Sequence, residues 1–368
     1  MASVAFTGGG TGGHIYPGLA IVSRLKQLVP LGMLPVRLFW IGSSRGMDRA
    51  IVEKAGVEFF GVPAGKLRRY FSLRNVSDVF MIIAGFFAAL RILKREKPAL
   101  LFSKGGFVSV PPCAAAAALG IPVFTHESDY SPGLATRINS RFAEKVFIPY
   151  SESAAFFTGR AGEKVCVSGN PVRPEFASAD PEKGRIFLGL KDDERILLVL
   201  GGSLGSREIN ELVKAALPGL TRHYTVVHQT GDDAAPLSQK TIERYKPYAY
   251  FGDEIPHVIA ASELVLCRSG AGTLWEAKSL SKPMVLVPLR GSGTRGDQVE
   301  NARLFEEAGA AICFTGDDPE KLSDLIASLA EDPEKRRNMG KATIAVSNAA
   351  AFIAEEIVRR IAQNKEIL

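Results

Sequence analysis

Short apolar runs, rich in β-branched residues, alternate along this chain with longer stretches in which apolar positions recur every three or four residues. The short runs predict strands at Val4–Phe6, Val36–Ile41, Ala99–Phe102, Pro122–Thr125 and Lys145–Ile148. In the second half they predict strands at Ile196–Leu200, Tyr224–Gln229, Leu264–Cys267, Met284–Val287 and Ala311–Phe314. The stretches between them predict helices. Such alternation builds parallel sheets with helices on both faces. Each half places a glycine-rich turn after an early strand, which predicts two Rossmann-like halves rather than one long sheet. Two prolines and a glycine punctuate Ser168-Gly169-Asn170-Pro171-Val172-Arg173-Pro174. The predicted domains are therefore 1–167 and 168–342. A last helical pattern runs from about Asp332 to Leu368, and its 343–368 portion is expected to pack back on the first domain.

One apolar stretch stands apart: VFMIIAGFFAALRILKREKP, Val79–Pro98. Its apolar part is shorter than the roughly 20 residues a membrane span needs. A buried helix and an interfacial helix both fit it. The cations Lys66, Arg68, Arg69 and Arg74 precede it, and Arg91, Lys94, Arg95 and Lys97 follow. Apolar residues flanked by cations suit an anionic membrane surface.

A chain of 368 residues, 46% hydrophobic, is long enough for two cores. The four cysteines, Cys113, Cys166, Cys267 and Cys313, form no C-x-x-C pair, so a reducing compartment is expected. The first residues enter a strand directly, so no leader peptide is expected. Charge is uneven. Residues 1–150 hold 18 Lys/Arg against 8 Asp/Glu, a balance of +10; the remainder holds 27 against 31, a balance of −4. A basic first half points to an anionic partner there. It lacks the aromatic-interleaved basic patches of a nucleic-acid binder, and no nucleic-acid partner is expected.

The glycine turns carry the chemistry. A turn between strand and helix exposes backbone N–H groups at a helix N-terminus, where a phosphate can approach closely. Three such turns follow predicted strands: Gly8–Gly13, Gly105-Gly106 and Gly201–Gly205. Tight structural turns would account for one of them more readily than for three. A dinucleotide site is disfavoured, because the next strand ends in Trp40-Ile41-Gly42-Ser43-Ser44 without an acid for a ribose. No lysine follows a glycine loop in the manner of a nucleotide hydrolase, and no D-x-D offers paired carboxylates to a metal. A departing diphosphate would then be neutralised by backbone donors and a helix N-terminus, with no metal and no cofactor. In the second half, Ser269-Gly270-Ala271-Gly272-Thr273 follows a predicted strand and predicts another phosphate cradle. Glu276, one turn on, can accept two ribose hydroxyls or cap its helix. Asp297, Gln298 and Asn301 enter the next helix and can hold sugar hydroxyls or cap it.

GGTGGHIYP, SKGGFVS, HESD with PGLATR, GNPVR, LGGSLGS, CRSGAGTLWE and RGDQVENA occur in this order over nearly the whole chain. Together they resemble the MurG family of bacterial peptidoglycan N-acetylglucosaminyltransferases. The resemblance implies an α/β GT-B fold, two Rossmann-like domains facing a central cleft. It implies transfer of GlcNAc from UDP-GlcNAc to the muramyl 4-hydroxyl of lipid I, an undecaprenyl-pyrophosphate carrier, giving lipid II with inversion at the anomeric carbon. Donor binding is expected to close the domains and exclude water. The implied location is peripheral, on the cytoplasmic face of the bacterial cell membrane, and the resemblance leaves room for other cell-wall synthesis proteins as partners. On the donor side it implies Thr11, Gly12, Gly13, Arg173, Ser203, Gly252, Ala271, Gly272, Thr273, Glu276, Asp297 and Gln298. On the acceptor side it implies Gly9, Gly10, Gly105, Gly106 and Phe107, the last where the family often has tyrosine.

Two positions depart from the family pattern. Asp129 in HESD stands where the family shows the asparagine of HEQN, and Asp297 stands where it often has a glutamine. An acid keeps the acceptors of an amide and loses its donors. Catalysis needs a base for the attacking hydroxyl. A neutral imidazole, with a reference pKa near 6.5, suits that role, and His14 at the end of the first glycine turn is the candidate. Glu127 and Asp129 are the rival bases. His126, His223, His228 and His257 are expected to be structural or superficial. Two other readings remain open from sequence: a GT-B enzyme acting on a different membrane lipid, and a non-catalytic nucleotide-sugar or nucleic-acid binding protein.

Overall fold

The computed structural model describes residues 2–28, 36–66, 74–202, 206–231, 242–290, 296–344 and 349–366. Two compact units divide the chain, residues 1–173 with 345–368, and residues 174–344.

The first unit is built on seven parallel strands: β1 (Ala2–Thr7), β2 (Val36–Ser43), β3 (Glu58–Val62), β4 (Leu100–Ser103), β5 (Val123–His126), β6 (Lys145–Ile148) and β7 (Val165–Val167). Their spatial order is β3-β2-β1-β4-β5-β6-β7. Alternation along the strands loads both faces with apolar side chains. Val4 and Phe6 face one core with Trp40, Phe102, Phe124 and Phe147, while Ala5 faces the other with Phe39, Ile41, Leu101 and Val146. Helices α1 (Tyr16–Leu28), α2 (Asp48–Lys54), α3 (Arg74–Glu96), α4 (Val110–Ala118) and α5 (Leu134–Phe142) connect them.

The second unit carries six parallel strands: β8 (Ile196–Leu200), β9 (Thr225–Gln229), β10 (Tyr245–Tyr248), β11 (Leu264–Cys267), β12 (Met284–Leu286) and β13 (Ala311–Cys313). Their order is β10-β9-β8-β11-β12-β13. Its helices are α6 (Pro181–Leu188), α7 (Arg207–Leu220), α8 (Ile255–Ala261), α9 (Ala271–Ser279), α10 (Asp297–Glu307), α11 (Pro319–Glu331) and α12 (Pro333–Lys341).

Two boundaries differ from the sequence expectation. The first unit runs to Arg173 rather than ending at Val167. Ser168 N–H donates to Ile148 O at 2.9 Å, Asn170 Nδ2 donates to Ser128 O at 2.8 Å, and Gly169 O meets His126 Nε2 at 3.0 Å. These bonds hold the segment to the first sheet. The long C-terminal helix is instead two. Helix α12 stops at Lys341, where Ala342 leaves the helical region with ψ of 137°. Helix α13 (Ala349–Glu366) belongs to the first unit, where Ile353, Ile357 and Ile361 bury against the Val4–Phe6 face. Each such isoleucine contributes about 1.5–3 kcal/mol relative to exposure. Lys145 pairs with Glu356, and Arg360 Nε with Glu144 at 2.7 Å, at the same junction.

Buried histidines make the fold sensitive to acid. The ring of His228 is buried, with Nε2 3.1 Å from Asn210 Oδ1 and Nδ1 3.1 Å from the Tyr245 hydroxyl. Burial pushes its pKa down to about 4. An unfolded histidine takes a proton as the pH falls through about 6.5. Between those values the unfolded chain gains a proton that folded His228 refuses, so stability is present above about 6.5 and is lost on the way to 4. The expected slope is at most about 1.4 kcal/mol per pH unit. Urea unfolding at pH 7 and 5 measures it. A His228→Gln variant with an unchanged slope would remove His228 as a contributor.

Candidate functional site

In each sheet the chain reverses its winding beside the first strand, between β1 and β4 and between β8 and β11. The crevice outside the carboxyl ends of such strands is where open α/β sheets bind ligands. The glycine turns sit there.

In the first unit the turn after β1 is pinned from below. The carboxylate of Asp48, 1% exposed at the start of α2, accepts from Gly10 N–H at 2.9 Å through Oδ1 and from Ser43 N–H at 3.0 Å through Oδ2. Trp40 Nε1 donates to Gly8 O at 3.0 Å. The chain then makes one tight turn, Gly12–His14, with His14 N–H donating to Thr11 O at 3.1 Å. The turn after β4 lies directly against it. Gly106 has φ of +77°, and a Cβ there would stand 2.9 Å from both Gly9 O and His14 Cδ2. A Cβ on Gly10, with φ of +85°, would reach within 2.5 Å of the Phe107 ring. The two turns therefore interlock because they lack side chains. The His14 ring rests on Gly105-Gly106 and is half-buried. Arg173 stacks its guanidinium 5.0 Å above the ring of Tyr16, two residues beyond His14.

A buried ion cluster lies beneath the third loop, after β5. Glu127 Oε1 accepts from the N–H groups of Ser128 at 2.8 Å and Asp129 at 3.1 Å, and Oε2 from Gly133 N–H at 2.9 Å. Burial alone would raise its pKa, but the charge of Lys104, the Thr136 hydroxyl and these N–H groups hold it below the usual carboxylate value. Lys104, 1% exposed, donates from Nζ to Ser128 Oγ at 2.7 Å. Burial pushes its pKa down to about 8, against the opposing pull of Glu127 and Asp129. Neighbouring His126 is held neutral, its pKa driven well down by burial and by the charge of Lys104. Asp129 is half-buried.

In the second unit, Gly201 and Gly202 follow β8; Ser203 and the rest of that turn lie outside the described residues. Helix α9 opens at Ala271 behind Gly270, which offers no side-chain cap. Its first N–H groups are left for a ligand or water. A Cβ on Gly270 or Gly272 would meet nothing within 4 Å, so open space lies at that end. Glu276 is half-exposed one turn along. Gln298 Oε1 accepts from Leu289 N–H at 3.0 Å, and its backbone carbonyl accepts from Ser269 Oγ at 2.7 Å. Asn301 Nδ2 donates to Ser269 O at 3.2 Å. Asp297, half-exposed, begins α10. Buried Gln229 joins two loops: Nε2 donates to Gly202 O at 3.1 Å, and Oε1 accepts from Phe251 N–H at 3.1 Å. Gly252 is exposed just beyond.

The structure thus gathers Gly9, Gly10, Thr11, Gly12, Gly13, His14, Gly105, Gly106, Phe107, Glu127 and Asp129 at one sheet end of the first unit. It sets Gly252, Ala271, Gly272, Thr273, Glu276, Asp297 and Gln298 at the matching end of the second. Sequence reading missed the residues that hold these loops: Asp48, Lys104, Gln229 and Arg268. Arg268 is buried, donating to Ser206 Oγ from Nη2 at 2.7 Å and to Val287 O from Nη1 at 3.0 Å. A signal existed. Lys104 follows LLFS and precedes Gly-Gly, and Arg268 follows LVLC and precedes Ser-Gly. A cation wedged between an apolar strand and a glycine turn is poorly placed for solvent. Among the described residues no group of three or more His, Cys, Asp or Glu gathers as a metal site would require.

Residues 4–148 match the glycosyltransferase family 28 N-terminal domain and residues 196–359 its C-terminal domain. The class is a glycosyltransferase with two Rossmann-like units, the GT-B fold. A crystal structure of Acinetobacter baumannii MurG shares that fold with a TM-score of 0.71 at 23% identity, over 99% of this chain and 100% of that one. In sequence the chain is 46% identical to the UDP-N-acetylglucosamine–N-acetylmuramyl-(pentapeptide) pyrophosphoryl-undecaprenol N-acetylglucosamine transferase of Treponema denticola, covering 94% of each chain. It is 45% identical to the Treponema pallidum protein of the same name, covering 96% of this chain and 94% of that one. The chain belongs to this MurG family of N-acetylglucosamine transferases.

Proposed function

We propose that the chain moves GlcNAc from UDP-GlcNAc to the 4-hydroxyl of the muramyl sugar in an undecaprenyl-pyrophosphate acceptor, lipid I, forming lipid II for peptidoglycan. The observation that carries this reading is the duplication of anion-ready glycine turns at the switch point of each sheet, within a chain of this family. A diphosphate-bearing donor and a diphosphate-bearing acceptor ask for two such sites. An acceptor on a different membrane lipid is not favoured, because the relatives are named for the muramyl acceptor.

The proposed roles are those that the family resemblance implies, and the geometry supports them as follows. On the donor side, the open N–H groups of Ala271–Thr273 and the axis of α9 stabilise the diphosphate as UDP leaves, without a protein-bound metal. Ser203 belongs to the same reading. Glu276 accepts the ribose hydroxyls. The Phe251–Gly252 backbone, held by Gln229, reads the uracil edge. Gln298 keeps its Nε2 hydrogens for the sugar while Oε1 holds Leu289, and Asp297 accepts a sugar hydroxyl. Thr11, Gly12, Gly13 and Arg173 belong to the donor-side reading as well. Gly9, Gly10, Gly105, Gly106 and Phe107 cradle the acceptor pyrophosphate. His14 takes the proton of the attacking hydroxyl as the bond to the anomeric carbon forms and UDP departs from the opposite face. Glu127 is cast as the anchor of its loop, because its oxygens are engaged by three backbone N–H groups and Thr136 and its pKa is lowered; both make a poor base. Asp129 is left to hold the acceptor sugar.

Purified protein with UDP-GlcNAc and EDTA, with and without a lipid I analogue in detergent, tests the reading. Acceptor-dependent UDP release with a β-linked disaccharide lipid supports it. Donor binding without transfer sinks the acceptor assignment.

The acceptor's carrier is a lipid, and α3 supplies a surface for its membrane. No helix of the described residues is long and apolar enough to cross a membrane. Helix α3 buries Ala89 and Leu93 but exposes Phe80 (69%), Ile83 (49%) and Phe87 (61%). Three- and four-residue spacing puts these on one stripe, which continues into Arg91 and Lys94. This supports a peripheral seat on an anionic leaflet; the cytoplasmic face and other cell-wall synthesis proteins as neighbours enter the proposal from the family resemblance alone. Phe80→Ser with Phe87→Ser is expected to lower partitioning onto phosphatidylglycerol vesicles roughly tenfold or more, by the area rule for apolar burial. Co-sedimentation reads it. Unchanged partitioning would exclude this stripe.

A further inference from the structure

The second glycine turn is held by a buried network of uncharged side chains. Ser103 ends β4, Ser109 lies just beyond the turn, and Asn139 comes from α5; all three are fully buried. Ser103 Oγ accepts from Gly105 N–H at 3.1 Å. Ser109 Oγ donates to Gly106 O at 2.8 Å. Asn139 Nδ2 carries two hydrogens and spends one on each hydroxyl, at 3.1 Å on Ser103 and at 2.8 Å on Ser109. One amide therefore reaches both glycines, through one oxygen each. Its own Oδ1 is buried and meets no donor among the described residues. An apolar residue on α5 would avoid that cost, so the two donated bonds are what the asparagine contributes. The same helix also holds the neighbouring loop. The Thr136 hydroxyl bonds Glu127, which anchors residues 127–133 through three backbone N–H groups. Thr136 and Asn139 are three residues apart and share one face of α5. That face abuts the turn: a Cβ on Gly105 would stand 3.3 Å from Thr136 Oγ1.

We propose that Asn139 is a positioning residue of the acceptor side, which through Ser103 and Ser109 fixes the second glycine turn against the 127–133 loop, and with it the seat of His14. The inference rests on the transferase reading above, which makes these loops the acceptor site. Both glycines have left-handed backbones, with φ of +79° at Gly105 and +77° at Gly106, and the His14 ring rests on them. The network holds the N–H of Gly105 and the carbonyl of Gly106. The peptide group between the two glycines is flanked by these tethers and is thereby held in orientation. Without the amide, each hydroxyl loses the donor that directs it, and the turn is free to shift relative to α5.

The test is steady-state kinetics with a lipid I analogue, each substrate varied in turn. Asn139→Leu keeps the branched shape and removes the hydrogen bonds. It is expected to lower kcat/KM for the acceptor at least roughly tenfold, the scale of a small displacement at a reacting group. The UDP-GlcNAc KM is expected to hold, because the donor contacts assigned above lie mainly in the second unit. In a background of Ser103→Ala with Ser109→Ala, the same change is expected to add less than roughly threefold, because residues of one network are non-additive. Ser109→Ala alone removes a single oxygen and serves where Asn139→Leu does not fold; it is expected to show the same loss on the acceptor side. Acceptor kinetics that stay unchanged in a variant with a lowered melting temperature would make Asn139 a packing residue only and overturn the proposal. An equal penalty with and without the two hydroxyls, or a matching rise in the UDP-GlcNAc KM, would overturn it too. Wild-type protein that releases no UDP with the acceptor would instead defeat the transferase reading, and this inference with it.

Discussion

His14→Ala is expected to lower kcat for GlcNAc transfer by roughly a hundredfold to ten-thousandfold, the range for loss of a positioned general base. UDP-GlcNAc affinity should hold, because the diphosphate and uridine contacts assigned above belong to the second unit. The argument starts from the proton. A sugar hydroxyl is far too weak an acid to ionise at neutral pH, so its proton must leave as the new bond forms. His14 ends the turn that follows β1, and its ring lies on the Gly105-Gly106 backbone, inside the set of turns proposed to hold the acceptor. Acceptor-dependent UDP release gives kcat, and calorimetric titration gives donor affinity. A variant whose kcat stays within tenfold of wild type would move the base to Asp129, the remaining candidate, because Glu127 is held by three backbone N–H groups.

The sheets were legible in the sequence where they are central. Central strands such as β8 and β11, buried on both faces, read as uninterrupted apolar runs. The three strands that the pattern did not predict are all edges: β3 and β7 of the first sheet and β10 of the second. The reason is physical. An edge strand is paired on one side only, so Glu58 in β3 and Lys246 in β10 are acceptable there. Pro247 in β10 lacks the N–H that an inner strand would spend on a neighbour.

The site was legible in the same uneven way. Glycine turns and His14 announce themselves by residue type and by position after a strand. The partners of the side chains that fix those turns do not. Asp48 acts on Gly10 across 38 positions, and Arg268 acts on Ser206 across 62. Nothing local in GSSRGMD says that its aspartate will be buried beneath another loop. The relation exists only once the sheet has brought β1 beside β2 and β8 beside β11. The departure at Asp129 is a similar case. Read alone, it removes two donors from the acceptor loop. The fold supplies a buried ammonium on the adjacent strand end, hydrogen-bonded to Ser128 one residue earlier in the same loop.

Gly106→Ala tests whether that interlocking sets the catalytic geometry. It is expected to cost about 1–3 kcal/mol of stability, the usual strain of a left-handed backbone on a residue with a Cβ. It is also expected to lower kcat by roughly ten- to a hundredfold, because a displacement near 1 Å at a reacting group has that effect. At φ of +77° the new methyl would stand 2.9 Å from Gly9 O and from His14 Cδ2, so the imidazole must shift or the two turns must separate. Gly13→Ala is the control. Its Cβ would meet only Thr11 Oγ1, at 3.9 Å, and its φ lies outside the left-handed region, so stability should change by no more than about 0.5 kcal/mol. Urea unfolding and acceptor-dependent UDP release separate the outcomes. Lower stability with unchanged kcat would mean that the loops absorb the methyl away from His14, and that the imidazole is positioned by its own tight turn rather than by the second glycine loop.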